Sequence, residues 1–174
     1  MVLTLEEAGA NYVIREPKDA PTGEGEALFG RFSYPALTMP NNATIGQTPV
    51  ILNVLGQNFG LAGETAQEQI DCQQTLLDIN DLFSETLSGK LADKPERAKQ
   101  WFEMLSYKLK DHRFLINEKP SVADFHAVFA TEWIHQRYHK DAYDDFPGLA
   151  RWWQDICVHP PVQRMKTSGV AMLP

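Results

Sequence analysis

The sequence predicts an α+β fold with two unequal parts. Residues 1–61 mix short strand-like pieces with Gly and Pro, and residues 65–174 read as helix after helix with no convincing strand. Three observations carry this division. The apolar periodicity changes along the chain, from short β-branched or aromatic runs to the three-and-four spacing of amphipathic helices. A hairpin pattern surrounds the Asn-rich turn at 40–42. A helix start is written at Ser121-Val122-Ala123-Asp124.

The N-terminal part is read in order. Val2 to Ala8 is a short helix closed by Gly9, the residue type that tolerates the left-handed conformation after a helix end. Tyr12-Val13-Ile14 predicts a brief strand. Residues 16–30 read as loop, with a weak helix near Gly25 to Phe29. Ala36 to Met39 and Ala43 to Gly46 form the two arms of the hairpin. Pro49 suits the first turn of the next helix, where a missing N–H costs little. Ile51, Val54, Leu55 and Phe59 give that helix an apolar stripe, and Gly60 ends it.

The C-terminal part is more regular. Leu76, Ile79, Phe83 and Leu87 form one stripe, and Trp101 or Phe102, Leu105 and Leu109 a second beyond Pro95. Val122, Phe125, Phe129 and Trp133 line a helix that is apolar on most faces. Ser121 is expected to accept from the Asp124 N–H while the Asp124 carboxylate accepts from Ser121, because a helix buried all round cannot leave its first N–H groups to water. Leu149, Trp152, Trp153, Ile156 and Cys157 follow the amphipathic template closely, and Pro160-Pro161 ends that helix and opens a last short one.

Composition narrows the function. The chain has 174 residues, 43% hydrophobic and 22% charged, with a net charge of −7, as expected of a soluble globular protein. That charge argues against nucleic acid or an anionic membrane as the main partner. Apolar runs are too short to span a bilayer, and the N-terminus carries acid where a secretion signal needs base. Cys72 and Cys157 read as free thiols in a reducing compartment, so a cytoplasmic location is expected. Glu132, His135 and His139 share a helix face, but nothing supplies a further ligand. They are read as a half-exposed polar helix end, and no metal is predicted.

The order of these elements resembles the cytosolic glutathione transferase family. Ile45-Gly46-Gln47-Thr48-Pro49 is similar to the family's Gln-Ser/Thr turn, Ser33-Tyr34-Pro35-Ala36 to its strand entry with a cis-proline, and Ser121 to Phe125 to the capping box of its central helix. Phe146-Pro147-Gly148-Leu149 and His159-Pro160-Pro161 resemble its ending. The resemblance implies a thioredoxin-like N-terminal domain, here partial, over 1–61 and an all-α helical bundle over 65–174. It implies glutathione as substrate, bound by Gln47, Thr48, Tyr34 and Pro35, with Asp81 reaching the glutathione amine of a neighbouring subunit. From the residues alone, Thr48 reads as an N-cap, Gln47 as polar surface and Asp81 as a solvated helix face. The implied partners are a small electrophile and a second copy of the chain, with a role in detoxification.

One departure bears on the chemistry. Val2 to Gly9 resembles the second half of the family's first helix, so the first strand and the catalytic Tyr, Ser or Cys would lie before Met1. The expectation is therefore a family member that starts part-way through its first domain, with no catalytic residue assigned and impaired conjugation. The reading of another class is a non-catalytic binding or scaffold module.

Overall fold

The computed structural model describes residues 1–15, 35–137 and 144–167. In chain order the described elements are α1 (Val2–Glu7), β1 (Ala36–Thr38), β2 (Thr44–Gly46), α2 (Thr48–Phe59), α3 (Ala66–Leu87), α4 (Lys90–Asp93), α5 (Pro95–Lys108), α6 (Val122–Arg137), α7 (Pro147–Cys157) and α8 (Pro160–Thr167). The expected weak helix at 25–29 lies outside the described residues.

Helix α1 closes as its sequence dictates. Gly9 takes φ +61, its N–H donates to the Glu6 carbonyl, and the Ala10 N–H reaches the Leu5 carbonyl, which is a Schellman ending. The strand expected at Tyr12 to Ile14 is not formed. Among the described residues no strand lies beside it, Val13 and Ile14 stand 81% and 60% exposed, and Tyr12 instead donates its hydroxyl to Glu6 at 2.6 Å. Propensity for a pleated surface decides nothing without a strand to pair with.

The hairpin forms as read. β1 and β2 pair antiparallel, Ala36 with Gly46, Leu37 with Ile45 and Thr38 with Thr44. Asn42 occupies the left-handed region at φ +64, and Asn41 Oδ1 accepts from the Ala43 N–H at 3.0 Å, which is the reason Asn serves at such turns. Leu37 and Ile45 pack on a small core of Leu5, Ile51 and Leu55. The buried stripe of α2 is Ile51, Leu52, Leu55 and Gly56, and Phe59 turns out to solvent. Gly56 is buried by close approach: a Cβ there would lie 2.9 Å from Val122 Cγ2, so α2 sits tight on the start of α6.

The helical part has one main core. In α3 the inward stripe is Cys72, Thr75, Leu76, Ile79, Leu82 and Thr86; Leu82 replaces the expected Leu87, which is half exposed. Its start carries a capping box not anticipated from sequence, with Thr65 Oγ1 accepting from the Glu68 N–H and Glu68 accepting from the Thr65 N–H. Both Trp101 and Phe102 are buried on α5, and Leu149, Trp152 and Ile156 of α7 are fully buried. Helix α6 runs through the centre, with Val122, Ala123, Phe125, Ala127, Val128, Ala130 and Ile134 all at zero exposure.

The start of α6 is half as expected. Asp124 Oδ2 accepts from the Ser121 N–H at 2.8 Å, but the Ser121 hydroxyl donates to the same oxygen at 2.7 Å rather than capping the Asp124 N–H. A buried carboxylate is the stronger acceptor, so it takes the hydroxyl proton. Oδ1 accepts from the Leu115 N–H at 2.9 Å and from the Trp152 indole at 2.8 Å. The first N–H of the helix, at Val122, donates to the carbonyl of Leu61 in the segment between α2 and α3.

At the other end of α3, Glu85 accepts from Lys90 Nζ, from Arg97 Nε and Nη2 and from the Trp101 indole. These donors, Arg97 foremost, hold its carboxyl well down, to about 2.

Two outcomes are expected. Asp124→Ala strands four buried donors and should destabilise the protein by about 3 kcal/mol or more in urea unfolding; a change within experimental error would count against the network. Because the folded Glu85 carboxyl titrates below its unfolded value, its contribution is complete above about pH 4.5 and is lost as pH falls toward 2. The melting-temperature gap between wild type and Glu85→Gln should therefore narrow across that interval. A gap that stays constant from pH 6 to pH 2.5 would show that Glu85 is not the acid-sensitive group.

Candidate functional site

Of the residues singled out from sequence, Pro35, Gln47 and Thr48 lie together at the start of α2. β2 ends at Gly46, and Gln47 takes φ +68 and ψ 116, a conformation that L side chains rarely adopt. The bend turns the chain straight from sheet to helix. The Gln47 carbonyl accepts the Ile51 N–H at 3.0 Å, so the helix ladder begins there. The hairpin register brings a second residue to this point: one step beyond the Ala36–Gly46 pair, Pro35 lies across from Gln47. Tyr34 lies outside the described residues.

The helix end itself is open. Gln47 makes no capping hydrogen bond with its side chain, and the first turn holds no acid. Pro49 has no N–H, so the donors offered are those of Thr48 and Val50, with the Thr48 hydroxyl beside them. Gln47 is exposed and Thr48 half-buried. The local charge is the positive end of a 12-residue helix dipole with no internal anion to answer it. Such an end can take a carboxylate of a ligand.

Asp81 lies on the outer face of α3, the side away from its buried stripe, in line with Leu77 and with Ile70 further along. One turn earlier, Asp78 is half-buried; burial pushes its carboxyl up, Lys108 pulls it back and Asp81 adds to the rise.

The Tyr12 phenol is pushed up by its hydrogen bond to Glu6, and burial pushes up both the Cys157 and the Cys72 thiols, the latter to about 11. None of these three is an activated group. The sequence reading missed His126. It is 95% buried on α6 beside Phe83, its Nε2 has no hydrogen-bond partner, and burial takes it down to about 3, so it is neutral. The signal available was its place inside the apolar helix. His139 and the side chain of His135 lie outside the described residues. Among the described residues no group of three His, Cys, Asp or Glu side chains is placed to hold a metal ion, and no described helix is long and apolar enough to cross a membrane.

Comparison with known proteins agrees with this architecture. Residues 82–160 match the family model described as glutathione S-transferase, C-terminal domain. Over this stretch the chain is similar to that domain. Solved structures extend the fold over nearly all of the chain. A monomeric glutathione S-transferase, Na-GST-3 of the hookworm Necator americanus, superposes with a TM-score of 0.78 at 19% identity, covering 95% of this chain and 88% of its own. A sphingomonad glutathione S-transferase complexed with glutathione gives 0.73 at 21% identity, covering 98% and 93%. A glutathione transferase homologue from Sulfitobacter, with bound glutathione, gives 0.72 at 14% identity, covering 99% and 92%. No curated protein matches the chain.

A strained non-glycine residue at the head of an open helix generates a prediction. Gln47→Gly should raise stability, by up to about 1 kcal/mol, because glycine adopts this φ without steric cost. If the strain serves ligand positioning, the same variant should bind glutathione more weakly. Thermal unfolding and calorimetric titration read the two effects separately, and a less stable variant would show that Gln47 is not strained.

Proposed function

We propose that this chain binds glutathione at the start of α2 and conjugates it to small electrophiles slowly, if at all, by itself. The observation that carries the reading is the open, acid-free N-terminus of α2, held by the hairpin at a strained Gln47. Glutathione brings a carboxylate on its γ-glutamyl residue, and free N–H groups at a positive dipole end are a fitting acceptor for it. Gln47 and Thr48 are assigned to that carboxylate. The backbone at Tyr34 and Pro35 is assigned to the cysteinyl part, because Pro35 sits across the hairpin end from Gln47.

Conjugation requires the glutathione thiolate, and a free thiol titrates near 8.5, so a donor must stabilise the anion. Tyr12 is committed to Glu6 and shifted upward, which removes the nearest described phenol from that role. Slow turnover follows from this reading. A homodimer also fits: Ile70 and Leu77 form an exposed apolar stripe on the outer face of α3, and Asp81 lies in the same stripe, where it would meet a second copy.

The decisive experiment is titration of purified protein with glutathione in a calorimeter, alongside conjugation of a generic aromatic electrophile. Binding is expected, weakened about three- to tenfold by Thr48→Ala. Turnover is expected about a hundred- to a thousandfold below that of an ordinary transferase, the loss typical when one preorganised donor is removed. Ordinary turnover would sink the assignment of impaired chemistry. Absence of binding as well as of turnover would favour a non-catalytic scaffold module.

A further inference from the structure

The core beneath the start of α2 is small. Leu5, Ile51 and Leu55 are its buried members, with Tyr12, Leu37 and Ile45 partly buried around them. So few side chains do not hold a unit in place unaided. It is tied to the helical part by two kinds of anchor. One is apolar, since Leu3 and Leu52 belong to the main core. The other is polar and reaches α8. Arg164 Nε donates to Glu6 Oε2 at 3.0 Å and Arg164 Nη2 to the Glu6 carbonyl at 3.2 Å. His159 Nε2 lies 2.8 Å from Glu7 Oε2, with its ring against Phe125 of α6, centroids 5.9 Å apart. Glu6 also holds Tyr12 against the small core.

We infer that this clasp between α1 and α8 is a positioning device for the first turn of α2, and hence for the anion site proposed above. The route is short. Leu5 precedes the clasped pair Glu6–Glu7 and packs in one cluster with Ile51. The Ile51 N–H is the group that binds the Gln47 carbonyl and so fixes the bend. A displacement of α1 therefore passes through Leu5 and Ile51 to Gln47 and Thr48. Arg164 and His159 are positioning residues that touch no ligand.

The inference rests on the glutathione reading for its ligand, but its first test does not. Amide hydrogen exchange of the unliganded protein is measured over residues 51–53, and glutathione affinity is measured by calorimetry. The variants are Arg164→Ala, Arg164→Lys and the control Arg113→Ala. The control removes an ion pair of like geometry, Arg113 Nε to Asp155 Oδ2 at 2.9 Å, with the arginine as exposed as Arg164 at 54%. Arg164→Ala should speed exchange at 51–53 and weaken glutathione binding about three- to tenfold. Arg164→Lys keeps the ion pair and should recover part of both effects, whereas Arg113→Ala should move neither. Exchange at 51–53 unchanged in Arg164→Ala, or equally raised in Arg113→Ala, would overturn the inference. If wild type does not bind glutathione, the functional reading falls, and exchange at 51–53 alone decides whether the clasp positions α2.

Discussion

The carboxylate of Asp124 is the point from which the rest of the structure is organised. A helix with no exposed face in its first two turns cannot send its leading N–H groups to water, and each one left unpaired would cost about 1–3 kcal/mol. Two groups at this end, the Ser121 and Val122 N–H, are answered by one side chain and one carbonyl. Asp124 gathers the Ser121 N–H and hydroxyl, the Leu115 N–H and the Trp152 indole, and the Leu61 carbonyl takes Val122. Four stretches distant in sequence thereby meet: the α2–α3 connection, the loop before α6, α6 itself and α7. The same few ångströms explain Gly56, whose missing Cβ lets α2 close onto Val122. The relation between the two parts of the chain is thus set where the central helix begins.

Local signals in the sequence were read correctly where the physics is local. The Asn-rich hairpin, the Gly9 ending and the proline-initiated last helix are each specified by a few adjacent residues, and so is the Asp124 half of the Ser-x-x-Asp start of α6, whose Ser121 hydroxyl donates instead of accepting. Signals that depend on partners were not. Trp152 reads as core from its spacing, but its bond to a carboxylate 28 positions away is a product of the fold. Tyr12-Val13-Ile14 has strand composition but no described strand beside it. Leu76, Ile79 and Phe83 of the expected stripe do pack inward, Phe83 beside His126 of α6, but the stripe continues through Leu82 and Thr86, and Leu87 is exposed. The Thr65–Glu68 box was legible, since Thr65 and Glu68 stand three apart at the head of α3.

The candidate site divides in the same way. That Gln47 and Thr48 lie between a hairpin and a helix was legible, since Gly46 and Pro49 bracket them. The positive φ of Gln47 was not, because residue type argues against it. That conformation is held by the hairpin register on one side and by the packing of Ile51 and Leu55 on the other. His126 was not legible as an unpaired group. Its isolation depends on burial against α3, where Phe83 faces it, and no property of α6 alone announces it.

What the described residues offer to a ligand is fixed dipole rather than titrating chemistry. Burial pushes Cys72, Cys157 and Asp78 up and His126 down, and the Glu6 carboxylate pushes Tyr12 up. All five shifts except that of Tyr12 come mainly from loss of water, and each favours the uncharged form. The start of α2 needs no proton to change hands. Backbone N–H groups do not titrate, and this helix start is held by a hairpin, a strained residue and a small core. On the proposed reading, recognition of an anion and activation of a thiol are therefore separable, because the first is built from backbone and the second requires a side chain of shifted acidity. On that reading, the residues that hold the backbone in place, down to the clasp on α1, would then matter for binding as much as any residue that touches the ligand.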